Sequence, residues 1–184
     1  MKDKIFFGLF VAFLMLRIFF SGAFSFIHTI VSFSVPIIFL SVKKDFHIFA
    51  FEINDTIQSV LLNSLFGFIF GVALIVIFSS FGAFNWVTIF DYDSNLLLLS
   101  FLMSFFYEIL IRYFVFGFFL KWFNPIYSII LSSVIGGVLF LPNTIMSVSY
   151  LVAGLFFGFV FYKTNDIYGV SVGNFILRIC VSVL

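Results

Sequence analysis

The sequence predicts an all-α, polytopic transmembrane helix bundle of about seven spans. Three observations carry this expectation. Of 184 residues, 64% are hydrophobic and only 9% are charged, with a mean hydropathy of +1.29. A water-facing domain of this length needs a far more polar surface. The apolar runs are long and unbroken, which fits helices rather than the short alternating segments of a transmembrane barrel. The loop lysines also fall on one side of the predicted spans, the asymmetry that orients helices in a bilayer.

The spans are placed at roughly 5–20, 24–41, 57–80, 95–120, 125–141, 147–162 and 167–183. About 20 residues cross the hydrocarbon core, so several of these are short or tilted. A single helix over 5–41 would run about 55 Å, too long for a bilayer, so the chain is read as breaking at Ser21-Gly22. Pro36 is expected to kink the second span. The connection "VKKDFHIFAFEINDT", residues 42–56, reads as a cytoplasmic loop, with an amphipathic segment at the interface as the alternative. "FGAFNWVTIFDYDS", residues 81–94, carries Trp86 and Tyr92 and reads as an interfacial aromatic belt.

Lys2, Lys4, Lys43, Lys44, Lys121 and Lys163 share one side of this arrangement, while Asp91 and Asp93 lie on the other. That places the N-terminus in the cytoplasm and the C-terminus outside. Residues 1–25 also have the make-up of a cleaved signal peptide, although Arg17 interrupts the apolar run. Residues 1–184 read as one transmembrane domain, with an N-terminal hairpin and loop over 1–56 and a membrane core over 57–184. Internal repeats and low-complexity linkers are absent from the sequence.

Cys180 is the only cysteine, so an intramolecular disulfide is excluded. His28 and His47 are far apart in sequence and match no metal-ligand spacing, so neither a metal nor a cofactor is expected. Nucleic acid is not an expected partner, because no basic patch is present. Membrane lipid is.

Ionisable residues within spans are the default functional candidates. They are Arg17, Glu108, Arg112 and Arg178. Arg17 lies near the end of its span, where it can reach the headgroups. Glu108 sits about midway between Asn95 and Lys121, near the expected bilayer centre. Arg112 follows it at i+4 on the same helix face, in the favourable order. Paired, the two would lower each other's burial cost and hold the helix in register. "SSVIGGVLFLPN", residues 132–143, reads as a helix with small residues ending at a Pro turn. "GLFFG", residues 154–158, is a small-xxx-small motif for close helix approach. In the last span Asn174 and Arg178 again share a face at i, i+4.

This order of elements, with "YKTNDIYG" as the turn before the last helix, resembles the CPBP intramembrane proteases. That group includes the type II CAAX prenyl endopeptidases and bacteriocin-processing or immunity proteins. The resemblance covers roughly residues 95–184. It implies a bundle in a bacterial plasma membrane and a peptide substrate or partner, transmembrane or lipidated, or a partner membrane protein. The family's first motif, Glu-Glu-x-x-x-Arg, falls on "YEILIR", so Tyr107 stands at the first Glu, with Glu108 and Arg112 kept. Its second motif, a Phe and a His four residues on, falls on Gly136 and Phe140. Its third, His and then Asn or Asp four residues on, falls on Asn174 and Arg178.

The resemblance implies that the first Glu and a His activate water while the second His and the Asn stabilise the oxyanion. A general base needs a titratable acceptor near the water. Tyr107 is a poor base near neutral pH and Phe140 is none. Glu108 is a weaker base with an arginine beside it. Asn174 and Arg178 can still donate to an oxyanion. The expected function is therefore a catalytically degenerate member that binds a membrane peptide or partner. The alternatives are an active endopeptidase with a site rearranged on Glu108, Asn174 and Arg178, and a small transporter or channel subunit. The last lacks the internal repeat of many transporters.

Overall fold

The computed structural model describes residues 2–19, 22–43, 53–80, 94–141 and 143–181. Among these residues the chain is helical, with no strand. Helix α1 spans Lys2–Met15 and tightens into a 3-10 turn at Leu16–Phe19. Helices α2 (Gly22–Lys43) and α3 (Ile53–Ser79) follow. Helix α4 (Ser94–Glu108) widens into a π-helix over Ile109–Phe116 and closes with the short α5, Gly117–Phe119. Helices α6 (Pro125–Val138), α7 (Thr144–Thr164) and α8 (Ile167–Val181) complete the chain.

The helices fall close to the expected spans. Three stretches, Thr56–Ile77, Leu97–Phe119 and Thr144–Thr164, are long and apolar enough to cross a membrane. Four more helical stretches are apolar but shorter: Ile5–Met15, Ile27–Phe39, Pro125–Val138 and Ile167–Cys180. The differences from expectation are local. The first span ends as a regular α-helix at Met15, and the fifth ends at Val138 rather than at 141, where a turn takes over. Pro36 lies inside α2, which continues past it as helix. Residues 44–52 and 81–93, and with them most of the 42–56 connection and the aromatic segment, lie outside the described residues, as does the side chain of Arg17.

The distribution of side chains is that of a membrane protein. On α3, Ser59 and Asn63 are buried while Leu61, Leu65, Phe68, Ile69 and Val76 are more than half exposed. Such an apolar outer face is costly in water and favourable in lipid. With the apolar helices, it makes this an integral membrane protein.

The chain divides into two compact units that each draw on distant parts of the sequence. One comprises Met1–His47 and Ile109–Gly158, the other Ile48–Glu108 and Phe159–Leu184.

In the first unit, Phe7 of α1 stacks on Phe118 at 3.5 Å between ring centroids, and Phe10 meets Phe114 edge-on at 5.2 Å. His28 of α2 is buried, its Nε2 lying 2.8 Å from the carbonyl oxygen of Phe13 and its ring stacked on Phe13. This satisfies a polar ring inside an apolar hairpin. Helix α6 opens with Asn124 as N-cap, its side chain accepting from the Tyr127 N–H, and Pro125 fills the position where a missing N–H costs nothing. Asn143 likewise accepts from the Met146 N–H at the start of α7. Helices α6 and α7 run antiparallel at close range. A Cβ at Gly137 would lie 2.8 Å from the Ser147 carbonyl oxygen, and one at Gly154 would lie 3.0 Å from Ser133. The "GLFFG" motif thus does what its spacing predicts.

In the second unit α3 and α8 pack along most of their length. Gly169 lies against Ser59, Gly67 against Gly173 and Gly71 against Cys180, so the two helices run parallel. The turn into α8 is built by Asn165, in the left-handed region at φ 52°, and by Asp166. Asp166 caps α8 with both carboxylate oxygens, accepting from the Tyr168 and Gly169 N–H groups at 3.0 Å each. Replacing Asp166 with Ala should cost about 1 kcal/mol of stability, the usual worth of an N-cap. Thermal unfolding in detergent should register it as a lowered Tm.

Candidate functional site

Glu108 ends the regular part of α4 and is fully buried, at 0% exposure. Asn174 of α8 is 1% exposed, and its Nδ2 donates to Glu108 Oε1. This bond joins residues 66 apart in sequence. Each helical side chain leans toward its own N-terminus, which brings the two polar tips together from facing helices. Aromatic contacts frame the bond: Phe105 stacks near Tyr168 at 6.1 Å and Phe101 meets Phe175 edge-on at 5.6 Å. Tyr107 is buried at the neighbouring position of α4. Arg178, one turn beyond Asn174, is half-buried in the last turn of α8, where a cation complements the helix dipole.

The first unit holds the remaining candidates. Arg112 is 1% exposed, inside the π-helix. Its guanidinium lies against α7 where that helix has no side chain. A Cβ at Gly158 would come within 3.1 Å of Arg112 Nη1 and 3.0 Å of Ile129 Cγ2. Gly158 therefore makes room for a buried arginine, a role that the packing motif alone did not reveal. Phe140 lies in the turn after α6 and stacks on the buried Tyr150 of α7, with centroids 3.7 Å apart.

The structure thus brings Glu108 and Asn174 into one hydrogen-bonded pair. It places Tyr107 and Arg178 beside the members of that pair along their own helices. Arg112 and Phe140 lie in the other compact unit. Sequence reasoning passed over Ser104 and Ser171, both fully buried. Ser104 precedes Glu108 by four residues and Ser171 precedes Asn174 by three, so each polar stripe extends one turn further. Among the described residues, no group of three or more His, Cys, Asp or Glu side chains converges to hold a metal.

A π-helix of this length is uncommon, and such widened turns concentrate at functional sites. Here it begins directly after the buried glutamate and carries the buried arginine. The region from α4 into α8 is also where a family comparison matches: residues 93–178 fit the family described as Type II CAAX prenyl endopeptidase Rce1-like. Residues 93–178 are similar to that family. No curated protein and no solved structure matches the chain.

The Rce1-like region contains every motif position identified in the sequence: Tyr107, Glu108, Arg112, Gly136, Phe140, Asn174 and Arg178. Within it, Phe140 is engaged in an aromatic stack with Tyr150, and Glu108 takes the Asn174 amide. The only acidic side chain among the motif positions therefore already accepts a hydrogen bond from a neighbouring motif position.

Proposed function

We propose that this CAAX-protease-like membrane protein has lost ordinary proteolysis and binds a membrane peptide, transmembrane or lipidated, or a partner membrane protein without cutting it. The observation that carries this reading is the bond from Asn174 to Glu108, taken with the residues at the other motif positions. Hydrolysis needs a base free to take a proton from water. Phe140 has no such group, and Tyr107 is a poor base near neutral pH. Glu108 is the one carboxylate among the motif positions, and one of its oxygens is held by an amide. What remains is a buried polar contact that fixes α4 against α8, a scaffold rather than a water-activating pair.

The same reading places the protein in a bacterial plasma membrane with about seven crossings and a cytoplasmic N-terminus. The parallel run of α3 and α8 supports the crossing count alone, since an odd number of crossings between them is then required.

The test uses purified full-length protein and tagged peptides of two kinds, prenylated CAAX-type and transmembrane, each carrying a photo-crosslinker. Crosslinking without cleavage is the expected result. Cleavage that disappears in Glu108→Gln would overturn the proposal. It would support a second reading, an endopeptidase with a rearranged site on Glu108, Asn174 and Arg178. That reading draws on the same contact, because a carboxylate beside an amide donor in a buried site can serve as acid-base group and oxyanion donor.

A further inference from the structure

The α4–α8 contact contains more polar atoms than it satisfies. Ser104 Oγ, Ser171 Oγ and Asn174 Oδ1 are each buried with no hydrogen-bond partner in the protein. Their residues are 1%, 0% and 1% exposed. They belong to two packed helices, and each lies within one turn of the Glu108–Asn174 bond along its own helix. Ser104 lies one turn before Glu108 on α4, and Ser171 one turn before Asn174 on α8. Tyr168, Asn174 and Phe175 of α8 all touch α4. Ser171 falls between their directions on the helical wheel, so it faces α4 as well.

Unpaired polar groups buried away from water cost free energy, and in a membrane interior lipid cannot relieve them. Three around one contact call for a ligand. Closure of the site restricts that ligand to something very small. The chemistry of the orphans then chooses among small ligands. Asn174 Oδ1 is an acceptor and needs a donor, whereas each serine hydroxyl carries a proton that needs an acceptor. A cation would satisfy the oxygens and leave the hydroxyl protons without partners. Water serves both, donating to the amide oxygen and accepting from a hydroxyl, and buried waters make about three such bonds.

We infer that α4 and α8 hold an internal water, bound by Ser104, Ser171 and Asn174 beside the Glu108 carboxyl group. This inference stands apart from peptide binding and survives whether or not the protein cuts peptides. The water completes the contact between the two helices and keeps the glutamate hydrated inside the membrane.

The test is proton-detected solid-state NMR of the full chain in phosphatidylcholine bilayers with 15N-labelled asparagine. Magnetisation transfer from water to the Asn174 side-chain amide is expected, and it should weaken in the Ser104→Ala/Ser171→Ala double variant. The same double variant should unfold a few degrees below the native protein, because the water loses two partners. No water transfer in the native protein overturns the inference. So does a raised Tm in the double variant, which would mean that the hydroxyls were dry and merely costly. A native Tm that rises when sodium chloride replaces N-methylglucamine chloride at equal ionic strength also overturns it, because a bound cation would then stabilise the fold by mass action.

Discussion

Asn174→Asp should destabilise the protein more than removing the side chain altogether. In Asn174→Ala the Glu108 oxygen loses a donor inside a closed site, which costs about 1–3 kcal/mol for a buried acceptor. In Asn174→Asp the donor becomes an acceptor of nearly the same shape. Two carboxyl groups then face each other at close range inside a closed site, where like charges oppose each other. Placing a second acidic group against a buried carboxyl group costs on the order of 3–5 kcal/mol. Volume alone predicts the opposite order, since Asp fills the site and Ala leaves a cavity. Tm values of the two variants in one detergent decide between these orders. If Asp is tolerated better than Ala, packing rather than polarity holds α4 to α8, and the scaffold role assigned to the Glu108–Asn174 bond falls.

The second large effect comes from a single added methyl group. A Cβ at Gly67 would collide with the backbone carbonyl oxygen of Gly173, with the carbonyl carbon 3.1 Å away. A flexible side chain could swing aside, but a helix backbone cannot. Gly67→Ala must therefore push α3 from α8 along the contact that also seats Ser59 on Gly169 and Cys180 on Gly71. Overpacking of this kind costs about 1–3 kcal/mol. In lipid, the lost close packing is not replaced by a hydrophobic drive between the helices. Gly8→Ala is the matched control. Gly8 lies in α1 with nothing within 4 Å of the added carbon, so the change should be neutral or stabilise by up to about 1 kcal/mol through helix propensity. A lowered Tm in Gly67→Ala beside an unchanged or raised one in Gly8→Ala is the expected pair of results. Equal effects would place the cost of Gly67→Ala in something other than the α3–α8 approach.

The contrast between these two glycines shows where sequence reading stops. Both lie in apolar helices, and no local pattern separates them; only Gly67 faces another backbone. "GLFFG" was readable because its spacing repeats on one face, whereas Gly67 and Gly71 gained meaning only once α8 was seen against them. The caps at Asn124 and Asn143 are local chemistry, but they were identified only in the structure. The π-helix after Glu108 carried no such local signal, since its sequence "ILIRYFVF" is as apolar as its neighbours.

The sequence by itself determined that this is a helical membrane protein, roughly where its helices lie, and which half resembles CAAX-type proteases. The first two are consequences of hydropathy run length and charge placement, which act over a few helical turns, and the third is a resemblance in the order of motifs. The tertiary structure alone decided that Glu108 bonds to Asn174, that Arg112 lies against Gly158, and that Phe140 stacks on Tyr150. Each of these depends on which helices are neighbours. In a bilayer that choice is made by shape and by the few buried polar groups, because apolar surface is equally at home against lipid and against another helix.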